Sequence, residues 1–162
     1  MNGKSCFFIG HRDASQEIVP VLEETIEKHI VDYGVTEFLV GGYGGFDRLA
    51  ASAVIRAKQR YPQISLALVL PYHPAEHPVE KPDGFDNTYY PEGMEKVPRR
   101  LAIVRANRYV VDHVDYLIAY VWHAASNARD LVEYAQRREL RGKIIVTMIS
   151  KKDLQKENLT IS

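Results

Sequence analysis

Glu37–Val54 reads EFLVGGYGGFDRLAASAV, and its order decides the fold. A short run, Glu37 to Val40, reads as a strand and passes directly into Gly41-Gly42-Tyr43-Gly44-Gly45. A helix follows, with Leu49, Ala50, Ala53, Val54 and Ala57 on one side and Tyr61-Pro62 closing it. A strand that runs through glycines straight into a helix begins a β-α unit, and such units build parallel sheets.

The same alternation extends in both directions. Upstream, Lys4 to Ile9 (KSCFFI) is an apolar run stopped by Gly10, as in a strand buried on both faces. Ile18, Leu22, Ile26 and Ile30, each four apart, make one helical stripe ending near Gly34. Asp13 and Gln16 have capping-box spacing before that helix, and Pro20 obscures where it begins. Downstream, Ile64 to Leu70 (ISLALVL), Asp115 to Val121 (DYLIAYV) and Lys143 to Ile149 (KIIVTMI) read as strands three, four and five. Pro98 suits the first turn of a helix reaching about His113. Asn127 and Asp130 suit the start of another helix that reaches Leu140, with Gly142 just past its end.

The expected fold is therefore α/β and Rossmann-like, with three layers. A five-stranded parallel sheet in the order 3-2-1-4-5 carries helices on both faces, and residues 1–162 form a single domain. Two regions fall outside this pattern. Residues 71–98 hold six of the eight prolines together with Tyr72, Tyr89 and Tyr90 and read as a long loop that packs over a site. Residues 150–162 read as a loosely held tail.

Composition narrows the functional classes. The 162 residues are 46% hydrophobic and 26% charged, the balance of a globular chain. The 21 Lys and Arg cancel the 21 Asp and Glu, so no global field favours a polyanion and nucleic acid is an unlikely partner. The one cysteine, Cys6, lies inside an apolar run and reads as a buried thiol of a reducing compartment. With no signal-like or membrane-length segment, the expected location is the cytoplasm, away from membranes. Whether the chain forms a homodimer is left open.

Ligands in open parallel sheets bind beyond the carboxyl ends of the strands, where the strand order reverses. Three loops should meet there. Gly10, His11 and Arg12 follow strand one and offer a cation and an imidazole to a phosphate or ribose. Gly41, Gly42, Tyr43, Gly44 and Gly45 follow strand two, where glycines let the backbone approach a ligand and the next helix would present free N–H groups to a phosphate. Asp47 either caps that helix or accepts a ribose hydroxyl. His123, Ser126 and Asn127 follow strand four. Arg105, Asn107 and Arg108 precede it on a helix, with the two arginines three apart. The glycines match neither GxGxxG nor GxxxxGK[ST], which argues against a standard dinucleotide enzyme or NTPase. His73 and His77 are flanked by prolines that prevent helical pairing, so no metal is expected. No cofactor is expected either.

FFIGHRD, FLVGGYGGFDRLAASAV, LVLPY, RANRYVVDHVDYLIAYV and SNARDLVEYAQRR, in this order, resemble the YpsA-like branch of the SLOG superfamily from about Cys6 to Ile149. This group includes the DNA-processing protein DprA and the Lonely-guy (LOG) phosphoribohydrolases. The resemblance implies binding of a nucleotide or nucleotide-derived ligand such as ADP-ribose or AMP, in a sensor or ligand-binding domain. It places Gly41, Gly42, Gly44, Gly45 and Asp47 at the family's phosphate loop and matches Gly10-His11-Arg12 to its GHR. The LOG motif PGGxGTxxE departs here to His123 through Asp130, with Asp130 at the glutamate's place and both paired glycines lost. A nucleotide N-glycosidase is thus the alternative, with Asp130, Asp47 and Arg108 as catalytic candidates. DprA-like binding of single-stranded DNA is the third.

Overall fold

The computed structural model describes residues 3–123, 126–150 and 152–154. Six strands form one sheet: β1 (Lys4–Gly10), β2 (Val35–Val40), β3 (Ser65–Val69), β4 (Asn87–Tyr89), β5 (Tyr116–Tyr120) and β6 (Ile145–Met148). Every pairing is parallel, and the spatial order is β4-β3-β2-β1-β5-β6. Helices α1 (Val19–Val31), α2 (Gly45–Arg60), α3 (Ala102–His113) and α4 (Asn127–Glu139) make the crossovers.

The period-2 alternation of β1 sends its side chains into two cores. Cys6 and Phe8 pack with Leu22 and Ile26 of α1 and Val54 of α2 on one face. Phe7 and Ile9 pack with Ala106 and Val110 of α3 and Val132 of α4 on the other. All four residues of the stripe Ile18, Leu22, Ile26 and Ile30 are buried. Burial pushes the Cys6 thiol well above its ordinary range, which keeps it protonated. No helix among the described residues is long and apolar enough to cross a membrane.

Five strands stand in the expected order, and a sixth corrects the count. Asn87-Thr88-Tyr89 lies within residues 71–98, where a loop was expected, and pairs with the free edge of β3. It is too short and polar to leave a hydropathy signal, so its strand character comes from the ladder and from its anchor. That anchor is Asp86, whose carboxylate accepts the Leu66 N–H at 2.8 Å and binds Lys58 Nζ at 2.7 Å. Burial pushes the Asp86 carboxyl up, but the bonds to Lys58 and Leu66 outweigh it and hold the group below its usual range.

Helix starts also differ from expectation. A 3-10 turn at Gln16–Ile18 leads into α1, with Pro20 in its first turn, and Asp13 does not cap it. Pro98 precedes a 3-10 turn, Arg99–Leu101, that runs into α3. In α4 the cap is Ser126, whose side chain accepts the Arg129 N–H at 3.0 Å, and Asn127 and Asp130 are helical. Part of the expected tail is fixed: the Ser150 N–H donates to Asp153 at 2.8 Å and Leu154 is buried in the first core. Residues 155–162 lie outside the described residues.

Candidate functional site

The sheet order reverses between β1 and β5, and a cavity of about 490 Å³ opens there at the strands' carboxyl ends. Gly10, His11 and Arg12 form its floor. Asn107 and Arg108 of α3 stand on one side, and Ser126, Asn127 and Asp130 at the start of α4 stand on the other. Gly41, Tyr43 and Asp47 close the third side. Deeper along α4, Tyr134 and Arg137 complete the wall.

The charges in this cavity favour an anion. Among the described residues Arg12, Arg108 and Arg137 make no ion pair. Arg108 lies over the Tyr134 ring, 4.2 Å from its centroid, and Arg137 lies 5.9 Å from the same ring. Stacking orients a guanidinium without neutralising it, so its donors stay available to a phosphate. The first turn of α4 adds N–H groups without intrahelical acceptors and the positive end of the helix dipole. Arg129 holds that helix start in place by donating to the carbonyls of His123 at 3.4 Å and Val121 at 3.2 Å.

His11 is spoken for by the protein itself. Its Nε2 accepts the N–H groups of Trp122 at 2.8 Å and His123 at 3.1 Å, so the ring proton sits on Nδ1. Burial, then the neighbouring His123, hold its pKa below the ordinary histidine value. A neutral His11 therefore latches the loop after β1 to the loop after β5.

The glycine loop divides into two parts with different jobs. The Gly45 and Phe46 N–H groups, expected to be free, donate to the backbone carbonyls of Arg12 at 2.9 Å and His11 at 3.2 Å. Gly44 has φ 136° and ψ 178°, a region open in practice only to glycine. A Cβ on Gly45 would lie 2.6 Å from the Arg12 carbonyl oxygen. These two glycines dock α2 against the first loop, and the first turn of α4, residues Asn127 to Asp130, borders the cavity. A Cβ on Gly10 would collide with the Phe46 ring, so this glycine serves the same packing. Asp47, half-buried, accepts the Tyr43 N–H at 3.1 Å rather than capping α2, whose N-cap is Gly44. Burial outweighs that bond and pushes the Asp47 carboxyl up to about 6.

The family model YpsA, described as the YspA SLOG family, matches residues 4–83, from β1 to the segment beyond β3. This match places residues 4–83 in the SLOG superfamily, in its YpsA-like branch. No curated protein matches it. Among solved structures, the Moco carrier protein of Chlamydomonas rheinhardtii aligns at a TM-score of 0.51 with 16% identity. That alignment covers 99% of this chain and 85% of the other, and at such identity it is a likeness of fold.

Of the candidate residues of this SLOG chain, Gly10, His11, Arg12, Gly41, Tyr43, Asp47, Arg108, Ser126, Asn127 and Asp130 border the same cavity. Asn107 joins them and Arg105 does not. Gly42 lines a second cavity of about 510 Å³, which lies between α2, β3 and residues 71–85. Gly44 and Gly45 line neither of the two, and the exposed His123 side chain lies 3.7 Å from Asp13. The second cavity has no counterpart in the sequence reading, nor does Tyr134 in the first. Only the tyrosines and prolines of residues 71–98 hinted that this segment covers something.

Proposed function

We propose that this SLOG protein binds a nucleotide or nucleotide-derived ligand of the AMP or ADP-ribose type, as a sensor or ligand-binding domain. One observation carries this conclusion: three guanidinium groups that make no ion pair among the described residues, a helix N-terminus and a half-buried carboxylate converge on one cavity at the sheet's switch point. Arg12, Arg108 and the first turn of α4 grip the phosphate, and Asp47 accepts a ribose hydroxyl. Tyr134 fixes the direction of the Arg108 guanidinium.

Thermal shift over a panel of nucleoside phosphates, with unphosphorylated nucleosides as controls, tests it. Moco, the molecule for which the structural neighbour is named a carrier, belongs in the same panel. A ligand at a hundredfold excess over Kd stabilises the folded state by about 2.7 kcal/mol, which raises Tm by roughly 5–10 °C for a chain of this length. The Arg108→Gln variant should lose most of that rise. No response to any phosphorylated nucleoside at millimolar concentration refutes the proposal.

The raised Asp47 pKa favours one further reading, a nucleotide N-glycosidase. A carboxyl near 6 is poised to donate a proton to a departing base, while Asp130 faces the same cavity. Release of free adenine from AMP, absent in Asp47→Asn, is the expected sign of it, and intact AMP after prolonged incubation excludes it.

A further inference from the structure

The two cavities meet. Gly41, Tyr43 and Asp47 line both, and the chemistry changes sharply across them. On one side stand arginines and the α4 start; on the other stand Ile55, Leu68, Val79 and Phe85, with Tyr72 beside them. We propose that the cavity under residues 71–85 seats the planar heterocyclic base of the ligand, so that the ligand runs from the arginine cavity past Asp47 into the apolar one. This inference rests on the phosphate site proposed above and names the class of ligand it takes: one carrying a base as well as a phosphoribosyl group.

Three features support that assignment. The junction holds a carboxylate acceptor, and in a nucleotide the part between phosphate and base is the hydroxyl-bearing ribose. The junction is also kept clear by its two first glycines. A Cβ on Gly41 would lie 3.1 Å from Asp47 Oδ2, and one on Gly42 would point toward Leu68 at 3.6 Å, so side chains here would narrow the passage. Finally, the apolar cavity is preformed. Lys58 Nζ holds Gly84 O at 3.1 Å and Asp86 at 2.7 Å, which ties the covering segment to α2. Its lining suits a flat ring with polar edges, because apolar and aromatic walls are joined by Ser52, His77 and Asp83 at its rim.

Calorimetry with AMP and with ribose 5-phosphate separates the two halves of the site. Ser52 is exposed on α2 and Val79 is 39% exposed on the covering segment, so Ser52→Phe and Val79→Trp fill the apolar cavity from opposite sides without touching the cores. Native protein should bind AMP at least roughly tenfold more tightly than ribose 5-phosphate, the scale of one stacked base. Each variant, with its denaturant midpoint retained, should lose that preference while its affinity for ribose 5-phosphate stays the same. Equal affinities in the native protein, unchanged AMP binding in both folded variants, or equal loss of both ligands overturns the base seat and leaves the phosphate site standing. Binding of neither probe by the native protein at millimolar concentration overturns the phosphate site, and the base seat with it.

Discussion

Replacing Asp47 with Asn should make the protein more stable and, by the same stroke, weaken its hold on ligand. The Asp47 carboxyl is pushed from 3.8 up to about 6, chiefly by burial, so the fold favours its neutral form. That displacement corresponds to roughly 3 kcal/mol between the two protonation states. The sign follows from proton binding. Between pH 4 and 6 the folded state keeps a proton that the unfolded chain has released, so this group's contribution to stability declines as pH rises and the full cost is present above pH 6. Asparagine never ionises, and its Oδ1 can still accept the Tyr43 N–H that Asp47 accepts at 3.1 Å. Urea unfolding should therefore show Asp47→Asn more stable than native by about 2–3 kcal/mol at pH 7.5 and nearly equal to it at pH 4. A carboxylate kept at such a cost is best explained by binding, and calorimetry should show the variant's affinity for AMP reduced. Equal or lower stability at pH 7.5 would refute the claim that the fold opposes this charge.

Two further outcomes follow from the same structure. Gly45→Ala places a methyl group 2.6 Å from the Arg12 carbonyl oxygen and should destabilise the fold by about 1–3 kcal/mol in denaturant titration, which makes it a probe of the α2 docking rather than of ligand contact. His11 and His29 are both held below the ordinary histidine value, so their contribution to stability is complete above about pH 6.5 and is lost as pH falls through their folded values. His29 Nδ1 donates to Thr25 O at 2.7 Å and its buried Nε2 has no hydrogen-bond partner among the described residues, so His29→Leu should flatten the fall in stability below about pH 6.5; an unchanged slope assigns it elsewhere.

The fold was legible because its central strands, β1 and β5, are buried on both faces. KSCFFI, EFLV, ISLALVL and DYLIAYV are continuous apolar runs, and their alternation with helical stripes leaves few topologies once crossovers are right-handed. Asn87–Tyr89 escaped for the opposite reason. Two of its three residues are exposed, and it is a strand only because β3 offers an unpaired edge and Asp86 pins its start. Sequence periodicity records burial, and a polar edge strand held by a carboxylate has little to record.

The grouping of the loop residues was legible in the sequence and their contacts were not. Strand-end logic brought Gly10, Arg12, Asp47, Arg108 and Asn127 to one cavity without any knowledge of contacts. What it did not foresee was where the first N–H groups of α2 go. Five residues with four glycines before a helix promise a phosphate loop, yet the carbonyls of His11 and Arg12 take the first N–H groups of α2. A local motif cannot show that its donors are spent on a loop more than thirty residues earlier in the chain. The serine-capped start of α4 attracted less notice because it lacks glycines, although a helix needs none to present its N–H groups. Of the glycines in this loop, Gly41 and Gly42 border the cavities, and with no side chain they leave the passage between the two compartments open. This division predicts that bulk at position 42 affects ligands carrying a base more than it affects ribose 5-phosphate, whereas bulk at position 45 affects folding first.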